Sequence, residues 1–131
     1  MSGTRTVEAS RQAQDASALP EIVRLAGIHR VYRLGRNEVP VLKDINLVVC
    51  AGEMVGIMGP SGSGKSTMLN LLGLLDRPSA GEYFLDGLAV ANLPDHERAR
   101  LRNARIGFIF QSFNLFHHLT VAENIEVPMV Y

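Results

Sequence analysis

The chain has 131 residues, enough for one domain at most. Its 13 basic and 13 acidic residues balance, which excludes the strongly basic surface that recruits nucleic acid or an anionic membrane. Hydrophobic residues make up 47%, as in globular chains, yet no apolar run approaches the roughly 18 residues that cross a bilayer. The single cysteine, Cys50, cannot form an internal disulfide, which fits a reducing cytoplasm, and its apolar neighbours predict a buried, inert thiol.

The N-terminal third predicts a leader followed by strands. Residues 1–20 are rich in Ser, Ala and Gln without an apolar centre, which predicts a disordered leader rather than a secretion signal. Alternating apolar and polar residues predict a strand over 21–32 and another over 41–49, with a turn over 33–40 between them. A turn at 51–52 then leads into a short apolar strand over 53–58.

The next eight residues match the phosphate-binding pattern G-x-x-x-x-G-K-[ST] in full. Chance supplies this pattern in a chain of this length about half a per cent of the time. The glycines allow main-chain N–H groups to point at phosphate oxygens, the lysine adds a positive charge, and the last hydroxyl suits the Mg²⁺ of a nucleotide. A bland Gly/Ser linker explains the context poorly, because a buried strand precedes the loop and an apolar helix over 67–75 follows it. The predicted phosphate-binding residues are Gly59, Pro60, Ser61, Gly62, Ser63, Gly64, Lys65, Ser66 and Thr67.

The remaining elements follow in order. Residues 76–81 read as a break, 82–85 as a short strand closed by a turn at 86–87, and 106–110 as another apolar strand. Between them lies a charged helix, capped by Asn92 or Asp95, whose charges indicate a solvated face. Thr120 and Glu123 form a capping-box pattern for a last helix, which Pro128 disturbs.

Other phosphate-loop families fit poorly. Strands before the loop disfavour adenylate-type kinases, and no Asn-Lys-x-Asp stretch is present to read guanine. From Ile22 to Tyr131 the chain resembles the first half of an ABC transporter ATP-binding domain, on the phosphate loop, Tyr32 and the run 106–111 ending in Gln111. Its further segments at 41–45, 81–83 and 124–128 resemble exporters of the lipoprotein-release and macrolide-efflux type.

The resemblance implies roles for individual residues. Tyr32 stacks on adenine, Ser66 and Gln111 hold Mg²⁺, and the segment after Gln111 contacts a transmembrane permease subunit. Exposed aromatics, Phe113 and Phe116, suit such a docking surface. The adjacent histidines 117 and 118 do not predict a metal site, because no cysteine or carboxylate pair lies at ligand spacing.

The resemblance thus implies an α/β fold of the P-loop NTPase class, truncated, with a β-rich N-terminal part plus the phosphate-loop strand and helix over residues 21–131. It implies an ATP- and Mg²⁺-binding component of an export system. Such a component works beside a permease and a second ATP-binding subunit on the cytoplasmic face of the plasma membrane.

The family's signature sequence, acidic strand end, D-loop and switch histidine are not found in these 131 residues. Tyr83 to Asp86 only imitates the acidic strand, because Gly87 follows where a glutamate belongs. The isolated chain is therefore expected to lack transport-coupled ATPase activity, and whether it is an enzyme is open. A gene fragment, a truncated sequence and half of a split domain are equally compatible. So are two other functions: a non-catalytic nucleotide-binding module and an inert remnant.

Overall fold

The structure is a computed structural model that describes residues 9–10, 19–112 and 115–129. Most of the predicted leader lies outside these residues, so its disorder stays a prediction; Phe113 and Tyr131 also lie outside them. The elements in chain order are β1 (Ala9–Ser10), β2 (Glu21–Leu34), β3 (Asn37–Cys50), β4 (Gly56–Ile57), α1 (Lys65–Leu72), β5 (Ala80–Leu85), β6 (Leu88–Ala89), α2 (Asp95–Arg105), α3 (Val121–Glu126) and a 3₁₀ turn (Val127–Met129).

A four-stranded antiparallel sheet in the order β3-β2-β5-β6 forms the main layer. The predicted turn over 33–40 is wrong in extent, because β2 and β3 run on until Leu34 pairs with Asn37. Gly35, with φ of 62°, allows a hairpin turn of two residues. Pro40 is accommodated within β3 opposite Val31 because β3 is an edge strand, where a missing N–H is tolerated.

The core lies between this sheet and one face of α1. Its buried side chains come from the two long strands, from α1 and the residue after it, and from β5 and its flank. Cys50 is buried, as predicted. The helix predicted over 67–75 is α1, which ends earlier, at Leu72. It is apolar, yet Leu69 is 57% exposed, because only the face with Met68 and Leu71 packs into the core. The core residues are Leu25, Ile28, Leu42, Met68, Leu71, Leu74, Tyr83, Leu85 and Val90.

Two of the predicted strands are largely missing from the described part of the chain. The strand over 53–58 is reduced to β4, which pairs with β1, and Met54 in front of it is 93% exposed. Residues 106–110 form no strand, and Ile109 is fully exposed. A strand needs a hydrogen-bonded neighbour along its length, and no described strand lies beside residues 106–110. Both segments carry the apolar run that predicted them, but only two residues of the first are paired and none of the second is, among the residues that the structure describes.

The predicted helices are present, and two details of α2 are corrected. Thr120 and Glu123 form the expected capping box, with Glu123 N 3.3 Å from Thr120 Oγ1, and α3 ends before Pro128. The N-cap of α2 is Pro94, not Asn92 or Asp95. Arg98 of α2 is buried rather than part of a solvated face, because it binds the main-chain carbonyl oxygens of Leu74 and Asp76 in the segment after α1. Within the described ranges no helix is long and apolar enough to span a bilayer.

Candidate functional site

The phosphate loop lies between β4 and α1, and two of its glycines adopt left-handed backbone. Gly62 has φ of 76° and Gly64 has φ of 95°, both in the region that side chains disfavour. Ser63 N donates to Pro60 O at 3.2 Å, which closes a tight turn inside the loop. Gly64 is then the N-cap of α1. The glycine spacing of the motif is therefore a requirement of this backbone path.

Close packing adds a second reason for glycine at two positions. A Cβ at Gly59 would lie 2.7 Å from Ser63 Oγ. A Cβ at Gly64 would lie 3.1 Å from Leu42 Cδ2 and 3.3 Å from the carbonyl oxygen of Val41. The loop is thus folded tightly on itself, and the first residues of α1 are seated directly on β3.

Lys65 folds over the loop that precedes it. Its Nζ donates to the carbonyl oxygens of Gly59 at 2.9 Å and Pro60 at 2.8 Å, so the ammonium lies along the rim of the loop. Ser63 Oγ is buried, and no hydrogen-bond partner is within reach of it among the residues that the structure describes. A buried hydroxyl without a partner is costly unless a ligand supplies one.

The start of α1 is suited to an anion. No described side chain caps it, and its first turn holds no acidic residue. The first N–H groups of a helix lack intrahelical partners and carry the positive end of its dipole. Together with Lys65 and the unpartnered Ser63 hydroxyl, they form a donor set of the kind that phosphate oxygens require. The residues present therefore fit the phosphate groups of a nucleotide.

Ser66 and Gln111, the two predicted Mg²⁺ ligands, line the same cavity of about 670 Å³. Both side chains are exposed, and Thr67 beside them is half-buried. Much of the remaining lining comes from α1 and from residues 106–112, which form neither helix nor strand. Phe108 and Phe110 contribute parallel rings with centroids 5.5 Å apart. The hydroxyl oxygen of Ser66 and the amide oxygen of Gln111 are hard, neutral ligands, which suit Mg²⁺.

Tyr32, the predicted adenine partner, lies in a different cavity of about 590 Å³. That cavity is lined by residues 29–33, Glu38, Ser79 and Ala80, and no described residue of the phosphate loop is part of its lining. The Tyr32 hydroxyl donates to Asp76 Oδ2 at 2.7 Å, and the Arg30 guanidinium lies 4.4 Å from its ring centroid. The structure thus unites Ser66 with Gln111 but does not bring Tyr32 to the loop.

Sequence reasoning missed Asp76 and Arg30, which hold Tyr32. Arg30 donates from Nε and Nη2 to the two carboxylate oxygens of Asp76, at 2.8 and 2.7 Å. Burial opposes ionisation of Asp76, but hydrogen bonds from Tyr32, the Arg77 main chain and Arg30 lower its pKa below the usual value. The only signal in the sequence was the alternation that puts Arg30 and Tyr32 on one face of a strand. Nothing marked Asp76, which is more than 40 residues away.

Comparison with known proteins bears on the same residues. The sequence profile of the family described as "ABC transporter" matches residues 42–130. An uncharacterized ABC transporter ATP-binding protein, YvrO, from Bacillus subtilis is 51% identical over 110 residues, covering 84% of this chain and 48% of its own length. A macrolide export ATP-binding/permease protein, MacB, from Syntrophobacter fumaroxidans is 48% identical over 111 residues, covering 85% of this chain and 16% of its own length.

A solved structure with a similar fold supports the same family. The dimeric post-hydrolysis state of the ATP-binding cassette MJ0796, bound to ADP and Pi, superposes with a TM-score of 0.74 at 46% identity. The match covers 82% of this chain and 47% of that one. The predicted α/β class of P-loop NTPases is thereby confirmed, with a β-rich sheet and a few helices in the described part. The chain spans about half the length of the cassette proteins that it matches.

Proposed function

Because the chain belongs to the ABC transporter family of ATP-binding domains, we propose that it forms the Mg-ATP-binding part of an export system. In this proposal it acts on the cytoplasmic face of the plasma membrane, beside a permease subunit and a second ATP-binding subunit. The observation that carries the proposal is the joint placement of Ser66 and Gln111 in one cavity next to a phosphate loop closed by Lys65.

Residues 59–67 bind the phosphate groups of ATP. Their main-chain N–H groups and the start of α1 donate to phosphate oxygens, and the unpartnered Ser63 hydroxyl gains an acceptor or donor partner. Lys65 exchanges the carbonyl oxygens of Gly59 and Pro60 for phosphate oxygens, which bind an ammonium more strongly because they are charged.

Ser66 and Gln111 hold Mg²⁺ in this proposal. The ion, when bound, neutralises charge on the phosphate oxygens and orients them. The Ser66 hydroxyl is fixed to the first turn of α1, whereas Gln111 follows a segment that forms neither helix nor strand. In the proposal, Gln111 approaches or leaves the site as the segment that precedes it moves. We assign it the role of reporting the nucleotide state to the residues that follow it.

Tyr32 stacks on the adenine ring. Its ring is half-buried in the cavity lined by residues 29–33, and aromatic stacking on a base contributes about 1–3 kcal/mol. In this proposal separate elements, β2 and α1, bind the two ends of the nucleotide, in line with a cavity whose lining includes no described residue of the phosphate loop.

The segment after Gln111 docks on the permease. Leu115 and Phe116 are about half exposed there, and they line a cavity of about 340 Å³ with residues of α3. Asn124 holds this segment on α3, with Phe116 N donating to Asn124 Oδ1 at 2.9 Å. Phe113, the other predicted docking residue, lies outside the described residues.

Export is the direction suggested by relatives named as macrolide export proteins. Pairing with a second ATP-binding subunit is suggested by the dimeric cassette MJ0796. Both features come from longer proteins, so they extend to this chain only as part of the proposal.

Binding of Mg-ATP by the K65A variant tests the nucleotide proposal. The chain has two lysines, Lys65 in the loop and Lys43 exposed on β3, so K43A is a matched loss of charge. We expect calorimetry to show binding by the native sequence and by K43A, and binding at least tenfold weaker by K65A. Equal affinities for all three would refute the proposed site.

A further inference from the structure

Arg30, Tyr32 and Asp76 form a closed three-residue clasp between β2 and the segment that follows α1. Both oxygens of Asp76 accept from Arg30, and Oδ2 also accepts from the Tyr32 hydroxyl at 2.7 Å. The Arg30 guanidinium lies over the Tyr32 ring, 4.4 Å from its centroid. Each member thus contacts the other two. The side chains of Arg30 and Asp76 are only 21% and 22% exposed, so solvent competes little for these contacts.

Asp76 is itself held from the far side. Arg98 of α2 donates from Nη2 to the carbonyl oxygen of Asp76 at 2.7 Å, and the main-chain N of Arg77 donates to Asp76 Oδ1 at 2.8 Å. The main chain and the carboxylate of Asp76 are therefore both fixed. A fixed carboxylate in turn restricts where the Tyr32 hydroxyl, and hence the ring, can lie.

The cavity beside the clasp suits an uncharged planar group. Both arginines in its lining already face carboxylates, Arg30 with Asp76 and Arg33 with Glu38. An anion entering here would have to compete with those carboxylates for the guanidinium groups, whereas a purine base is neutral near pH 7. The aromatic ring of Tyr32 offers such a base a stacking surface.

We propose that Asp76 and Arg30 are positioning residues for the nucleotide base: they hold the Tyr32 ring from its hydroxyl and from one face, so that adenine stacks on the other face. The inference rests on the proposed stacking role of Tyr32 and adds what fixes that ring. A ring already held in place loses less side-chain freedom on binding, so the clasp raises affinity for the base without contacting it. Phosphate binding, which depends on residues 59–67, is independent of the clasp.

Two variants separate this role from structural damage, and both are tested in the protein at its natural length. Y32F keeps the stacking ring but removes its hydrogen bond to Asp76, while D76A removes the carboxylate. Calorimetry is done with Mg-ATP and with Mg-tripolyphosphate, which has no base. We expect each variant to bind Mg-ATP about fivefold more weakly, with unchanged affinity for tripolyphosphate. E21Q, in an exposed pair with Arg24 at the other end of β2, is the control and should bind both as the native protein does.

The double variant Y32F/D76A tests the link directly. Because the two residues share one hydrogen bond, its loss of ATP affinity should be less than the product of the single losses. If D76A weakened the binding of both ligands equally, its effect would be a general one on the fold. The Y32F result alone would then decide whether the clasp positions the ring. Native affinity of Y32F for Mg-ATP would overturn the clasp.

The Y32A variant distinguishes the clasp from the premise beneath it. Stacking predicts that Y32A binds Mg-ATP about 5- to 150-fold more weakly. A loss in Y32A without one in Y32F would remove the clasp and leave the stacking role intact. No loss in Y32A would remove both, while the K65A experiment would still test the phosphate site.

Discussion

Arg98 of α2 donates from Nη2 to the main-chain carbonyl oxygen of Leu74, 2.8 Å away, just beyond the end of α1. Leu74 lies past the last residue of α1, and its carbonyl oxygen also accepts from Arg102 Nη1 of α2, 3.1 Å away. The Arg98 guanidinium also binds the carbonyl oxygen of Asp76. One buried side chain therefore joins α2 to the segment that follows α1 and to the clasp.

We predict that R98M lowers the free energy of unfolding by about 1–3 kcal/mol, because the carbonyl oxygen of Asp76 loses this donor and that of Leu74 keeps only the bond from Arg102. Urea denaturation followed by circular dichroism measures this. R100M, on the exposed side of the same helix, is the control and should change stability by less than about 0.5 kcal/mol. Similar losses in the two variants would contradict the role of Arg98.

Gly64 is predicted to be intolerant of any side chain. In G64A the new Cβ meets Leu42 and Val41 at 3.1–3.3 Å in a left-handed backbone, so α1 must shift from β3 or the loop must open. We expect a loss of about 1–3 kcal/mol in stability and loss of Mg-ATP binding. G56A is the control, since a Cβ there meets nothing within 4 Å and φ is not positive. Native binding by G64A would show that the loop does not need this backbone.

The part of the fold that the sequence predicted is the part with local causes. The capping box at Thr120, the glycine spacing of the loop and the hairpin strands depend on neighbours within a few residues. The clasp between Tyr32 and Asp76 joins residues 44 positions apart, which no periodicity reveals. The strand predicted over residues 106–110 is wrong because an apolar run gives strand propensity, while a strand also needs a hydrogen-bonded partner.

In the candidate site, too, the residues of a contiguous motif could be predicted from the sequence, and the long-range contacts could not. Lys65 and Ser66 follow from a contiguous motif, and their placement beside the loop could be anticipated from it. That Gln111 would share a cavity with Ser66 came from resemblance alone, since no local pattern links a residue in α1 with one 45 positions later. The stacking role of Tyr32 also came from the resemblance, and no sequence pattern indicated that its hydroxyl would bind Asp76.

Asp76 makes stability depend on acid pH. Burial acts to raise its pKa, but the hydrogen bonds from Tyr32, Arg77 and Arg30 outweigh this and lower it below the ordinary value of 3.8. The contribution of Asp76 to stability is therefore fully present above the pKa that its carboxyl has in the unfolded chain. It is lost as the pH falls from that value to the lower pKa of the folded state. We predict that D76N flattens the decline of stability below about pH 5. Urea midpoints measured from pH 6 to pH 2.5 check this.

D95N is the comparison for that experiment. Hydrogen bonds from Arg77 and then Arg98 also lower the pKa of Asp95, but its side chain is 87% exposed, so solvent screens the interaction. The acid decline should change less in D95N than in D76N. A larger change in D95N would contradict the assignment.

Tyr83 makes stability depend on alkaline pH. Burial raises its pKa to about 12, and its hydroxyl donates to the carbonyl oxygen of Leu72 at 2.7 Å. In the unfolded chain the pKa of this hydroxyl has its ordinary value of 10.0. Its contribution to stability is therefore complete below about pH 10 and is lost as the pH rises towards 12. We predict that Y83F costs about 1–2 kcal/mol at neutral pH and removes the part of the alkaline decline due to this hydroxyl. Denaturation midpoints from pH 7 to pH 11.5 measure both effects, and an unchanged alkaline decline in Y83F would refute the second.

Asn124 organises the segment proposed to dock on the permease. Its Oδ1 accepts from Phe116 N, and its Nδ2 shares two hydrogens among the carbonyl oxygens of Phe116, Leu119 and Thr120 at 2.9–3.2 Å, so four polar contacts converge on one amide. We predict that N124A leaves Mg-ATP affinity unchanged but weakens association with the membrane subunit at least fivefold, because Phe116 is no longer held in place. Co-purification from detergent with the permease measures this. N103A, on the exposed side of α2, is the control. Undiminished association of N124A would mean that docking does not depend on the conformation of this segment.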